Sequence, residues 1–190
     1  MNQEQIHTIS ALKTVAECRT LELTIRSQGH QVFADGIRER SYEISIENLK
    51  SEKECESFSK NLLKNNRPDL VPLINRKSIE LLVQKYPGYA SLREVEIAAL
   101  KATYSYEKIL RLKNGKKTPA TYTWRAITNH GIVGGIDRIV SKGKQTLGFT
   151  YLSKLGLKDY SFEAIVLKYP DVFSNIAVEK AQINIGTLAI

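Results

Sequence analysis

Apolar side chains recur at Ile6, Ile9, Leu12, Val15 and Ala16, a three-to-four spacing that predicts an amphipathic helix over residues 3–18. The next stretch reads two ways. TLELTIRS alternates at Leu21, Leu23 and Ile25, and SYEISIEN alternates at Tyr42, Ile44 and Ile46, the period of a half-buried strand. The first also continues as helix to a stop at Gly29. A small β-hairpin near 30–47 is the expectation for this region. Helical spacing returns over 51–65 through Cys55, Phe58, Leu62 and Leu63.

Beyond residue 66 the helical pattern is cleaner. Ser91 and Glu94 have the spacing of a capping box, with a stripe behind them at Val95, Ala98, Ala102, Tyr106 and Ile109. Gly115 supplies the stop. Thr118 followed by Pro119 predicts an N-cap and a first-turn proline, opening a helix that runs to about His130. Gly131, Gly134 and Gly135 interrupt it, and IDRIVSKG resumes a short helix. Further helices are expected near 145–155, 161–169 and 174–183, the last capped by Ser174. The fold class is mainly α, a compact helical domain.

Part of this pattern occurs twice. SIELLVQKYPGYASLREVEIA at 78–98 aligns with SFEAIVLKYPDVFSNIAVEKA at 161–181, and ten of the 21 positions are identical. Such self-similarity predicts an internally duplicated unit of helix, Tyr-Pro turn and helix, near 70–113 and 145–183. In each copy a serine, Ser78 or Ser161, is placed to cap the first helix. Pro87 or Pro170 biases the tyrosine before it away from helical angles. Ser91 or Ser174 is then placed to cap the second helix. Tyr86 and Tyr169 are expected to close over the corner.

Charge divides the chain more sharply than composition does. Apolar residues at 42% and charged residues at 25% describe an ordinary globular protein. Residues 1–60 hold 8 Lys+Arg against 10 Asp+Glu, and residues 61–190 hold 20 against 10. Residues 108–158 carry 11 basic side chains, with Asp137 the one acid among them. The expected organisation is an acidic N-terminal helical or α+β region, 1–66, and a basic all-α region, 67–190. MNQEQIHTIS lacks the order of a secretory signal, and no apolar run approaches the length that crosses a bilayer. With two cysteines, Cys18 and Cys55, and nothing that asks for a disulfide, the chain reads as cytoplasmic, reduced and unattached to membrane.

The sequence names no reaction. Three histidines and two cysteines show no CxxC, HxxxH or HExxH spacing, so neither a metal nor a cofactor is expected. A metal-dependent nuclease would need an Asp followed by Glu-x-Lys. Asp35, Asp69 and Asp171 are the aspartates weighed for that role, and none is followed by that pattern. HGIVGGIDR lacks the Gly-Lys-Ser/Thr ending of a phosphate loop. It reads either as the turn of a helix-turn-helix, with Asp137 where an apolar residue belongs, or as close helix packing through Gly131 and Gly135.

A localised positive field attracts polyanions. From Pro119 onward a helix places Ala120, Trp124, Ile127 and Gly131 inward and Tyr122, Arg125 and Asn129 toward solvent. Lys113, Lys116 and Lys117 precede it, and Arg138, Lys142 and Lys144 follow. These lysines and arginines suit phosphates, while Tyr122 and Asn129 suit bases. The expectation is a non-enzymatic nucleic-acid-binding protein, its partner duplex DNA more readily than RNA. The alternatives are a protein-interaction subunit of a larger complex, a homo-oligomer included, and a metal-dependent nuclease.

Overall fold

Thr14 and Glu17 split the first predicted helix in two. The Glu17 N–H donates to Thr14 Oγ1 at 3.1 Å, and Glu17 Oε2 accepts from the N–H groups of Lys13 and Thr14 at 2.9 Å each. This capping box ends α1 (Gln3–Ala11) and starts α2 (Val15–Ser27). The structure, a computed structural model, describes residues 1–143, 151, 152 and 154–186. Among them there is no strand. The chain divides into two compact units, Met1–Ser57 and Phe58–Ile190.

The hairpin expected near 30–47 is instead α3 (Gln31–Glu47). Ile37 and Ile44, seven apart, are buried with Cys18 in the core of the first unit, and Leu21, Ile25 and Phe33 pack around them. Leu21 and Ile25 are thus a helical pair four apart, with Leu23 between them 65% exposed. Short alternation mimics a strand whenever such a pair brackets an exposed leucine. Arginine–carboxylate pairs hold α2 to α3: Arg26 reaches Asp35 at 2.9 Å, and Arg38 meets Glu22, which also pairs with Arg26 within α2 at 3.0 Å. Cys18 and Cys55 are buried and not joined in a disulfide, and burial pushes the Cys18 thiol up. The last helix to begin in this unit is α4 (Glu52–Lys64).

In the second unit, α5 (Val71–Gln84) carries Pro72 in its first turn, α6 (Glu94–Asn114) ends on left-handed Gly115, and α7 spans Thr121–Ser141. α8 (Phe162–Lys168) and α9 (Asn175–Gly186) complete it. Ile79 and Val83 of α5, Leu100 of α6, Ile136 of α7, Val166 of α8 and Ala177 of α9 meet in one core. The helix expected near 145–155 falls largely outside the described residues. Among the described residues no helix is long and apolar enough to cross a membrane.

The two matching sequence stretches both run helix, 3₁₀ turn, helix, yet their shared residues do different work. Ser161 caps α8, its Oγ accepting the Ala164 N–H at 3.1 Å, whereas Ser78 is buried inside α5. Its hydroxyl has no partner among the described residues. The expected cap is displaced because α5 opens seven residues earlier, where Pro72 suits a first turn. Ser174 caps α9 through the Ala177 N–H at 3.2 Å, but Ser91 ends the turn Tyr89–Ser91. Leu92 stays extended and packs on the core, so α6 starts after Arg93, whose N–H donates to Glu96 at 2.9 Å. Tyr86 stacks against Trp124 at 6.3 Å, while the Tyr169 hydroxyl donates to Glu94. One heptapeptide does not impose one geometry.

Two glycines shape α7. At Gly131 the chain takes φ 75° and ψ 170°, so residues 121–130 and 132–141 are separate straight segments. Gly134 and Gly135, expected to be part of the break, lie inside the second segment. A Cβ on Gly135 would stand 2.7 Å from Ile127 N and 2.8 Å from Ile127 Cα. Eight residues along a straight helix are about 12 Å apart, so the second segment folds back on the first.

Arg76 ties α5 to the residues ahead of α8. Its guanidinium meets both Asp159 oxygens at 2.7 Å and the Gly156 carbonyl at 2.8 Å. Gly156, at φ 68°, lies so near Pro72 that a Cβ would fall 2.5 Å from the proline Cβ.

Gly135→Ala should destabilise the protein by about 1–3 kcal/mol, because the clash is with backbone that cannot rotate away. Gly134→Ala, whose nearest neighbour is His130 Cβ at 3.4 Å, should be neutral or stabilise by up to about 1 kcal/mol. Urea unfolding of the two variants checks this. A second expectation concerns pH. Arg76 holds the Asp159 carboxyl below its ordinary value, so that stabilisation is full above the unfolded carboxyl's pKa and is lost as pH falls through the folded one. Asp159→Asn should flatten the acid limb of a stability-against-pH curve. At pH 7 it should cost no more than about 1 kcal/mol, since the pair is partly exposed.

Candidate nucleic-acid interface

The loop from α6 to α7 closes on itself before the second helix begins. Asn114 Nδ2 donates to Thr118 Oγ1 at 3.2 Å, and Thr118 Oγ1 donates to the Lys116 carbonyl at 3.1 Å. Sequence predicts Thr118 as the cap of a helix starting at Pro119, but α7 starts at Thr121. Ala120 is buried and its N–H donates to Glu107 Oε1 at 2.9 Å. The same oxygen accepts from Trp124 Nε1 at 2.7 Å. Glu107 is therefore the anion at this helix N-terminus, in the place where the lysines at 116 and 117 suggest a phosphate. Trp124 is further held by Tyr104, edge-on at 5.3 Å, and burial raises the Tyr104 phenol.

With α7 fixed in this way, Ala120 and Ile127 are buried, whereas Tyr122, Arg125 and Asn129 are exposed along one face. Gly131, expected inward with the first set, is exposed. The fold-back at Gly131 returns the end of the second segment to the start of the first. Lys142 Nζ donates to Tyr122 Oη at 2.7 Å and lies 5.4 Å from its ring centre. Arg138 is exposed one turn before Lys142. Arg138, Lys142 and His130 line an open concavity of about 610 Å³ with Ser141, Ser174 and Ile176.

Asp137, at the position where a helix-turn-helix would need an apolar residue, lines the same concavity but has its oxygens taken up by the start of α9. Its Oδ2 accepts the Ser174 N–H at 2.6 Å and its Oδ1 accepts the Ser174 hydroxyl at 2.9 Å. The carboxylate thus seats the N-terminus of α9. Lys113, Lys116, Arg125 and Arg138 meet no carboxylate among the described residues. Lys117 is exposed in the loop beside Lys116, and Lys144 lies outside the described residues.

Tyr122, Arg125, Asn129, Arg138 and Lys142 are thus assembled by α7 and its C-terminal cap. Lys113 and Lys116 sit on the preceding helix end and loop. Glu107 and His130 belong to the site's surroundings, and sequence reasoning misses both. Glu107 lies thirteen residues before the N–H it accepts, a separation with no local signature. The aspartates weighed for a nuclease are dispersed. Asp35 is held by Arg26 and Asp69 by Arg67, in different units. Among the described residues no three His, Cys, Asp or Glu side chains are grouped to hold a metal.

Comparison with protein-family models, with curated proteins and with solved structures found no match for this chain.

Glu107→Ala should leave the Trp124 indole and the Ala120 N–H without their acceptor, at about 1–3 kcal/mol. Trp124 is the sole tryptophan of the chain, so its emission should shift in the variant's folded baseline, and urea unfolding should report the reduced stability.

Proposed function

We propose that this protein binds nucleic acid, duplex DNA more readily than RNA, through the basic face of residues 108–158 and without catalysing a reaction on it. The supporting observation is how the carboxylates near that face are used. Asp137 caps α9 and Glu107 holds the start of α7, so Arg125, Arg138, Lys113 and Lys116 project without acidic partners among the described residues. They differ in this from Arg26, Arg38 and Arg40 of the first unit and Arg76 of the second, each of which is paired with a carboxylate. Exposed, unneutralised cations on a rigid helix pair suit a phosphate backbone, and Tyr122 and Asn129 stand beside them for contact with sugar or base.

The same exposed charge would serve only solubility if it met no polyanion, and binding measurements separate the two cases. In fluorescence anisotropy with labelled duplex, affinity should fall steeply with salt. Arg125→Ala with Arg138→Ala should weaken binding to all sequences alike and flatten the log–log salt slope by about 0.9 for each phosphate no longer neutralised. Added magnesium should leave the duplex intact. Absence of binding at low salt, or a slope unchanged in the double variant, would dismiss this reading. Steady co-purification of one protein partner without nucleic acid would then favour the interaction-subunit alternative.

A further inference from the structure

Beside the Tyr122–Lys142 pair, α6, α7 and α8 leave a cavity of about 630 Å³. Its walls are Tyr106 and Leu110 of α6, Ile139 of α7 and Phe162 of α8. The Tyr106 and Phe162 rings stand 6.0 Å apart and tilted, forming an aromatic wall. An apolar opening of this size falls in the range of small-molecule sites, roughly 300–1,000 Å³, which fix a ligand's orientation with a few convergent polar groups. Here those groups are the Lys142 ammonium and the Tyr122 hydroxyl, 2.7 Å apart on the lining.

The chemistry of the lining selects its occupant. The Lys142 ammonium has three donors, one of which goes to Tyr122, and no carboxylate among the described residues takes the others. A single lysine over hydrocarbon and aromatic walls suits one negative charge on an apolar body. Among the described lining residues Lys142 is the one cation, which suits the single charge of a carboxylate better than the two of a phosphate. We propose that the cavity binds a small carboxylate with an apolar body, the carboxylate on Lys142 Nζ and the body against Tyr106, Leu110, Ile139 and Phe162. This stands independently of the nucleic-acid reading, since it rests on the walls and not on the charge of the wider face.

Isothermal titration of the full chain with decanoate, and with decanol and decyltrimethylammonium as charge controls, tests it. Decanoate should bind saturably with one site, about tenfold or more tighter than decanol, as expected for one charge-assisted hydrogen bond. Decyltrimethylammonium should bind least. Lys142→Met, a change at the helix end that leaves the core untouched, should bring decanoate down to the affinity of decanol. Leu110→Trp should fill the cavity and weaken both ligands, with circular dichroism confirming that the helices persist. No saturable binding of decanoate would overturn the proposal. So would equal affinity for decanoate and decanol, or an unchanged decanoate affinity in Lys142→Met. Duplex affinity enters none of these readings, so failure here leaves the proposed function to its own test.

Discussion

Backbone lies on backbone where Gly135 meets Ile127, and much of the second unit is arranged by that contact. A side chain at position 135 would hold the two segments of α7 apart, and none is present. Because they close, Ile136 and Val140 enter the same core as Ile127. Asp137 is carried to the start of α9, and Lys142 returns to Tyr122 twenty residues before it. Gly131 makes the reversal by adopting a left-handed φ that L side chains rarely take. Glycine is used at these two positions for different reasons, conformational freedom at the first and absence of volume at the second.

The distribution of charge follows from where carboxylates find structural work. In the first unit Glu22, Asp35 and Glu43 are committed to guanidinium groups along α2 and α3, while Glu17 caps α2. In the second, Glu107 and Asp137 accept from N–H and hydroxyl groups at helix starts, which satisfies the backbone but leaves the neighbouring cations facing water. A folded chain can therefore display more positive potential than its local composition implies, because a carboxylate turned toward a helix N-terminus is already compensated.

Helix existence is legible in the sequence wherever a stop or cap has one interpretation. Gly115 ends α6, Gly131 breaks α7, and Ser161 and Ser174 cap the last two helices as their positions suggest. Prediction fails where two local signals compete. Alternation at Tyr42, Ile44 and Ile46 masks the seven-residue spacing of Ile37 and Ile44, and Pro72 at the start of α5 overrides the claim of Ser78 to a cap. For the candidate site, the exposed face of Tyr122, Arg125 and Asn129 follows from helical geometry alone. The meeting of Tyr122 with Lys142 does not, because it depends on the fold-back angle, which no periodicity encodes. Glu107 on Trp124 is equally hidden, since a hydrogen bond spanning seventeen residues leaves no pattern in sequence.

The clamp of Arg76 on Asp159 has a consequence for the order in which the chain can fold. Its partners are 83 residues apart, and α6 packs directly on α8. Helices α2 and α3 of the first unit, by contrast, are consecutive and touch along their lengths. During vectorial synthesis the first unit has its own core in hand early, whereas α5 and α6 emerge with apolar faces whose partners have yet to be made. Closure of the second unit waits on its final third, so the nascent chain is most exposed to aggregation after α6 and before α8.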